Sequence, residues 1–204
     1  ERRSGTLEFI STLPVSTWEF VVGKFLACWA LLGLALVLTL PLPLTVALLG
    51  DLDWGPVFAG YIAAMLLGGA YIAIGLFVSA RTDSQIISLI GSTLVCGVFY
   101  LLGSTAIVEL FGADLRNFLA AIGSGSRFES ITRGMLDFRD LYFYASMSIA
   151  FLALNVFTLE RSKWAAEGDA SRHRKWGLGT GLLVLNVLLA NVWLTQVTSL
   201  RFDW

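Results

Sequence analysis

The chain has 204 residues, of which 56% are apolar and 14% charged, with a net charge of −1 and a mean hydropathy of +0.75. This composition excludes a soluble enzyme, a disordered chain and a disulfide-rich secreted protein, because soluble domains are about a quarter charged and less apolar. Uncharged stretches of about 20 residues, enough to cross a hydrocarbon core about 30 Å thick, recur along the chain. The sequence therefore predicts an all-α polytopic membrane protein.

The first element along the chain is a mixed polar and apolar segment that precedes every predicted span. Leu7, Ile10 and Pro14 recur among charged residues at near-helical spacing, which is typical of a short amphipathic helix at a membrane surface. We assign residues 1–19 to this helix. An interfacial helix that leads into the membrane and has no protein partner fits the same pattern.

Five membrane-spanning helices follow. Ser16 and Glu19 have the spacing of a capping box at the start of the first span, and Pro41 and Pro43 predict a break near its end. Pro56 suits the first turn of the second span. The predicted spans cover about residues 20–49, 56–80, 86–108, 141–159 and 176–200.

A polar and amphipathic stretch, residues 109–140, separates the third predicted span from the fourth. Glu129, Arg133 and Asp137 are spaced i, i+4, i+8, so one continuous helix would align them as a ladder of charges. We expect this helix to lie in the outer interface or to re-enter the membrane shallowly. The alternative is an ordinary external loop helix whose surface ion pairs contribute little stability.

The distribution of lysine and arginine sets the predicted orientation. With the N-terminal segment in the cytoplasm, nine of these residues lie inside and five outside. Five of the nine inside residues belong to a basic linker at residues 161–175. Because basic residues are enriched in short cytoplasmic loops, the sequence predicts a cytoplasmic N-terminal segment.

No residues show the spacing of a catalytic or metal-binding site. Gly123-Ser-Gly-Ser126 lacks the lysine of a phosphate-binding loop, and the only histidine, His173, lies in the basic linker. The interiors of the predicted spans contain no aspartate or glutamate, which an ion-coupled carrier would need. We therefore predict no enzyme activity, catalytic residue, metal or bound cofactor in this chain, and no nucleic-acid partner.

Two motifs resemble those of type-2 ABC transporter (ABC-2) permeases. The first consists of Glu1, Gly5, Thr6, Leu7, Glu8, Leu13, Pro14, Gly23 and Lys24. The second resembles the gliding-motility and nitrous-oxide-reductase-maturation (GldF/NosY-like) branch, and consists of Phe128, Glu129, Arg133, Gly134, Asp137, Arg139, Asp140, Tyr142 and Phe143. Arg127 departs from this second pattern, which has histidine before Phe-Glu.

The resemblance implies a permease of type V exporter-like architecture that works by movement and carries no chemistry itself. A separate ATP-binding cassette subunit, acting as a dimer, would bind ATP and Mg, and a second permease copy or a homologue would complete the assembly. The implied contacts with the ATPase are Glu1, Arg2, Arg3, Gly5, Thr6, Leu7, Glu8 and Pro14. The implied outer interfacial segment carries Phe128, Glu129, Arg133, Asp137, Arg139 and Asp140.

The resemblance also implies a domain layout and a location in the lipid of a bacterial cytoplasmic (inner) membrane. The implied parts are a coupling helix at 1–19, the permease at 20–160 with its outer segment at 109–140, a cytoplasmic linker at 161–175, and a further span at 176–204. That span looks like the opening of a GldG-like auxiliary subunit. A six-span permease would lack its first two spans here, so we interpret the chain as a fragment. The alternative function is a membrane anchor for an extracytoplasmic domain, without solute transport.

Overall fold

The computed structural model describes residues 16–104, 123–133, 135–167, 177, 179–187, 189–191 and 201–203, and this part of the chain is nearly all helical. The elements are α1 (Thr17–Leu38), α2 (Pro41–Leu49), α3 (Trp54–Ser79), α4 (Gln85–Leu102), α5 (Gly125–Thr132), β1 (Met135–Asp137), α6 (Phe138–Glu167), α7 (Gly179–Asn191) and β2 (Arg201–Asp203). We call the end of the bundle at which α1 begins the inner end, and the opposite end the outer end.

A capping box opens α1 as the sequence predicts. The Ser16 amide donates to Glu19 Oε2 at 2.9 Å, and the Glu19 amide donates to Ser16 Oγ at 3.3 Å. These two bonds satisfy backbone donors that have no partner inside the helix. The position of the first helix start is therefore confirmed.

The predicted break in the first span is also present. The helix stops at Leu38 and resumes at Pro41, because a proline has no amide hydrogen to donate into the preceding turn. The Leu36 carbonyl at the break accepts from both Thr39 Oγ1, at 2.7 Å, and the Thr39 amide, at 3.0 Å. Together α1 and α2 form one long apolar unit, Thr17–Leu49.

The central helix of the bundle is α3, which packs against α1, α4, α5 and α6. The Asp53 carboxylate caps it by accepting from the Gly55 amide at 3.0 Å, and Pro56 lies in its first turn as predicted. Its buried side is made of small residues together with Ile74: Ala59, Ala63, Gly69, Ala70 and Ala73. Small side chains let neighbouring helix backbones approach closely, which explains why this helix is central.

Within the described residues, four helical units are long and apolar enough to cross a membrane. They are Thr17–Leu49, Trp54–Ser79, Gln85–Leu102 and Phe138–Arg161. They correspond to the first four predicted spans, although the third helix ends at Leu102, before the predicted Val108, and the fourth begins three residues before the predicted Leu141. The predicted fifth span at 176–200 is represented by the shorter apolar helix α7, so a fifth crossing stays a prediction.

The packing of the bundle leaves large apolar side chains exposed around its sides. Leu38, Leu48, Ile86 and Leu89 are among the most exposed of these. Such a surface is costly in water but matches the hydrocarbon of a bilayer. The exposed pattern therefore agrees with a multi-pass membrane protein.

One prediction about the outer stretch is wrong: residues 129–137 do not form a continuous helix. The helix α5 ends at Thr132, and Asp137 lies in β1. Arg133 is the C-cap, and the sequence continues with Gly134, a residue type that commonly ends helices. The charge ladder of Glu129, Arg133 and Asp137 consequently does not form.

The strand β1 pairs with β2 in a short antiparallel ladder. The Cα partners are Met135 with Asp203, Leu136 with Phe202, and Asp137 with Arg201. This pairing joins the part of the chain that follows α7 to the start of α6.

Candidate functional site

The most distinctive polar arrangement in the described residues surrounds the segment Gly123–Arg133, which we call the re-entrant cap. Ser124, Arg127 and Ile131 are all buried in it, and α5 packs against α3 and α4. Tyr71, which contacts Ser124, lies 17 residues along α3, or about 25 Å from its outer end at 1.5 Å per residue. The cap therefore reaches back into the bundle from its outer end and contacts α3 well inside it.

A buried ion pair joins the re-entrant cap to α6. Arg127 Nη1 lies 2.8 Å from Asp140 Oδ1, and both side chains are only 6% exposed. The Arg127 guanidinium also lies over the Phe143 ring, 4.5 Å from its centroid. Arginine suits this position because its planar, weakly hydrated cation can bond a carboxylate and stack on a ring at once.

Ser124 joins the start of the cap to three helices. Its amide donates to the Phe99 carbonyl at 2.9 Å, and its own carbonyl accepts from the Tyr144 hydroxyl at 2.8 Å. Its Oγ lies 2.9 Å from the Tyr71 hydroxyl. Non-helical backbone at membrane depth is tolerated only where protein satisfies its polar groups, and these contacts meet that condition.

Glycine is required where the cap meets the end of α4. A Cβ built on Gly123 would overlap the backbone of Gly103, and one on Gly125 would crowd the Tyr100 carbonyl oxygen. Both obstacles are backbone atoms, which cannot move aside as a flexible side chain can. The two glycines of Gly123-Ser-Gly-Ser126 thus form a close packing contact with the end of α4.

Of the predicted outer segment, Asp140 takes part in the buried ion pair, and its partner Arg127 lies outside the predicted set. Arg133 is exposed and Glu129 is half-buried. Asp137 is buried, and one of its carboxylate oxygens accepts from the Arg139 amide at 3.1 Å.

Sequence reasoning missed Tyr71, Ser124 and Tyr144 as parts of the cap. The two tyrosines could have been found from the sequence, because both lie inside apolar spans, where a hydroxyl needs a hydrogen-bond partner. The departure at Arg127 from the expected histidine pattern coincides with the arginine of the ion pair. The predicted ATPase contacts at residues 1–14 lie outside the described residues.

No metal site accompanies this network in the part of the chain that the structure describes. Groups of three or more His, Cys, Asp or Glu side chains placed to hold an ion are absent there. The arrangement can hold a cap in place or release it, and it offers no nucleophile paired with a base.

A match to a protein family model shows which family the chain belongs to. A family model described as ABC-2 family transporter protein matches residues 1–163. The chain belongs to this family. Neither the curated proteins nor the solved structures gave a match.

The ABC-2 match covers all four candidate spans and the re-entrant cap. Membership in this family, together with the apolar helices, makes the chain a multi-pass membrane protein of the ABC transporter permease type. Proteins of this kind are transport components that generally work with an ATP-binding subunit. The ABC-2 resemblance seen in the two sequence motifs is thereby confirmed at the level of the family.

Proposed function

We propose that this chain is the transmembrane permease subunit that couples ATP hydrolysis by a separate cassette subunit to movement of a substrate, or to a conformational signal, across the membrane. The family match over residues 1–163 is the observation that carries the proposal. ATP and Mg would be bound by the partner, which acts as a dimer, and a second permease copy would complete the assembly.

In this proposal the movement of the ATPase is received by the segment before α1. The residues of this segment that would contact the ATPase are Glu1, Arg2, Arg3 and Glu8. The first described residue, Ser16, is bonded to Glu19 by the capping box, so the segment leads directly into a helix start. Gly5 would permit close backbone approach, and Pro14 would set the turn into the span. A movement of the ATPase would then be a movement of the inner end of α1.

The packing of α1 offers a route from that end into the rest of the bundle. Val21, only 2% exposed, packs with Ala73 of α3 and with Leu152 and Val156 of α6. Further along, the Trp29 indole Nε1 donates to the Met65 carbonyl at 3.1 Å. A rigid helix held at two levels transmits displacement to both neighbours, because packed interiors do not deform continuously.

In this proposal the movement finally reaches the re-entrant cap at the outer end. It contacts α3 and α4 through Ser124, and it is tied to α6 by the Arg127–Asp140 pair. A relative shift of α3 and α6 would strain those bonds. In this mechanism the cap closes the outer end of the substrate path through the membrane in one state, and it moves aside in the other.

The test of the coupling proposal is Glu8→Lys in the complete assembly reconstituted with its ATPase. Transport-linked ATP hydrolysis should fall by about tenfold or more, because reversing one charge of an interfacial pair costs several kcal/mol. The matched control is Asp51→Lys, the same charge reversal in an exposed turn at the opposite end of the bundle. Unchanged coupling in the correctly folded Glu8→Lys assembly would refute the assigned contact.

We also propose a branch of the family, a membrane location and an auxiliary region for this chain. The outer motif supports membership of the gliding-motility and nitrous-oxide-reductase-maturation branch, with a bacterial cytoplasmic membrane as the location. The span after the basic linker supports a GldG-like auxiliary region. A purified complex that contains a cassette ATPase and an auxiliary domain of this kind would support both assignments.

A second candidate function is a membrane anchor for an extracytoplasmic domain, without solute transport. It is favoured by two contacts that hold the end of the described chain to the bundle. Asn191 Nδ2 donates to Ser146 Oγ of α6 at 2.9 Å, and β2 pairs with β1. Co-purification with a cassette ATPase whose hydrolysis is stimulated by substrate would favour the permease; an assembly with no nucleotide hydrolase would favour the anchor.

A further inference from the structure

A cavity of about 610 Å³ lies at the inner end of the bundle, away from the re-entrant cap. It is lined by the first turns of α1 and α4, by the last turns of α3 and by Asn155 and Leu159 of α6. Its lining extends from Asp83 in the turn before α4 to Ser92, seven residues into that helix. At 1.5 Å per residue, the cavity reaches about 10 Å inward from the start of α4.

A row of hydroxyls runs along one wall of this inner cavity. Ser84, Ser88 and Ser92 are spaced four residues apart, so they share one face of α4, and all three line the cavity. Ser92 Oγ donates to the Leu89 carbonyl in its own helix, which leaves its lone pairs available to accept. The wall thus offers polar groups within an otherwise apolar span.

Asn155 of α6 also lines this cavity. Its side chain is only 4% exposed, and its Oδ1 accepts no hydrogen bond from the residues that the structure describes. Leaving a buried amide oxygen without a donor costs free energy, so native proteins rarely do so without a reason. A ligand in the cavity that carries a donor would satisfy this oxygen.

The charges and the apolar wall restrict what that ligand can be. Lys24 and Asp83 both line the cavity, so its lining carries one charge of each sign and no net charge that would select a simple anion or a simple cation. Val21 and Leu76 supply apolar wall. A molecule with both charges on a polar head, and with apolar chains, matches this lining.

The position of the cavity favours a ligand that arrives from the bilayer. It lies between Ala27 and Cys28 of α1 and Leu89 of α4, and Leu89 is 68% exposed on the apolar surface of the bundle. A lipid could therefore place its head in the cavity while its chains stay in the hydrocarbon. The volume is within the range of about 300–1,000 Å³ typical of small-molecule sites.

We propose that the inner cavity binds the headgroup of a zwitterionic phospholipid, with the ammonium donating to Asn155 Oδ1 and the phosphate accepting from the hydroxyls of Ser84 and Ser88. This site is separate from the ATPase-coupling role proposed above. Its test measures lipid binding and not ATP hydrolysis, so each proposal can fail without the other.

The test uses the complete assembly in nanodiscs that contain a photo-crosslinkable phosphatidylethanolamine. Asn155→Leu, which removes the amide at similar volume, should lower crosslinking to this chain by about fivefold, as expected for loss of one buried hydrogen bond. The matched control is Asn191→Leu: Asn191 is also buried, and its Oδ1 also lacks a partner among the described residues, but it does not line the cavity. Equal crosslinking in the two variants would overturn the proposal.

A second variant protects the test against misfolding of Asn155→Leu. Ser92→Leu fills the cavity and removes only a hydroxyl that bonds within its own helix, so it should also lower crosslinking. Nanodiscs made with phosphatidylglycerol alone should give little crosslinking to an equivalent anionic probe. Equal labelling by the anionic lipid, or competition by soluble glycerophosphoethanolamine as strong as by the intact lipid, would refute the zwitterionic lipid as the ligand.

Discussion

At the scale of single residues, Arg127 and Asp140 are the most consequential pair in the described structure. Each would be costly to bury alone, and each is tolerated because the other lies 2.8 Å away. The sequence singled out both residues, but for different reasons: Asp140 as part of a motif, and Arg127 as a departure from it. Their pairing across 13 positions required the cap to fold back onto α6.

The ion pair leads to a stability prediction. Arg127→Met leaves Asp140 buried without its cation, so we expect a loss of about 3–5 kcal/mol in the free energy of unfolding. The double variant Arg127→Met/Asp140→Leu should recover most of this loss, because no charge then stays buried. Equilibrium unfolding of the purified protein in mixed detergent micelles measures both values.

The control for this prediction is Arg133→Met, since Arg133 is exposed one residue after α5. Its effect should stay within about 0.5 kcal/mol. A loss in Arg127→Met no larger than in Arg133→Met would show that the buried pair contributes nothing to stability.

At the scale of elements, the boundaries of the helices follow from local chemistry. The capping box at Ser16 and Glu19, the break before Pro41 and the position of Pro56 were all predictable, because each depends on atoms a few residues apart. The predicted continuous outer helix failed for the opposite reason. Spacing of charges alone favours a helix only weakly, and the chain ends α5 at Thr132 to form β1 and begin α6.

The contact between the re-entrant cap and α4 is testable through its glycines. Gly123→Ala would place a methyl group on the Gly103 backbone, so the cap must shift at a cost of about 1–3 kcal/mol. Gly60→Ala is the matched control, because a Cβ there meets nothing within 4 Å and alanine favours the helix. We expect lower thermal stability in the first variant and equal or higher stability in the second.

The Gly123→Ala variant also tests the proposed function of the cap. If the cap yields during the cycle, Gly123→Ala should alter the rate of transport as well as the melting temperature, since its resting position is displaced. A variant that melts at the temperature of the unsubstituted protein would contradict the close backbone contact itself.

At the scale of the whole molecule, the four candidate spans run in alternating directions. The cavity lining shows this, because it gathers the first turns of α1 and α4 with the last turns of α3 and with Asn155 and Leu159 near the end of the fourth span. Alternation fixes which loops share a side of the membrane but not which side is cytoplasmic. That choice comes only from the lysine and arginine counts.

The orientation has a direct test by cysteine labelling in intact cells. With Cys28 and Cys96 replaced by alanine, Ser4→Cys should be modified by a membrane-impermeant thiol reagent only after the cells are opened. Asp51→Cys, in the exposed turn between α2 and α3, should be modified in intact cells. Labelling of Ser4→Cys in intact cells would invert the arrangement and remove the basis for an ATPase contact at residues 1–14.

By itself, the sequence determined the membrane class, the four candidate spans, the cap of the first helix and the family. These follow from mean hydropathy over about 20 residues and from hydrogen bonds within one turn, which are local quantities. Only the tertiary structure decided that Arg127 meets Asp140, that Ser124 bonds Tyr71 across 53 positions, and that Asn155 and Ser92 line one cavity. Such partners are distant along the chain, so helix packing rather than local pattern brings them together.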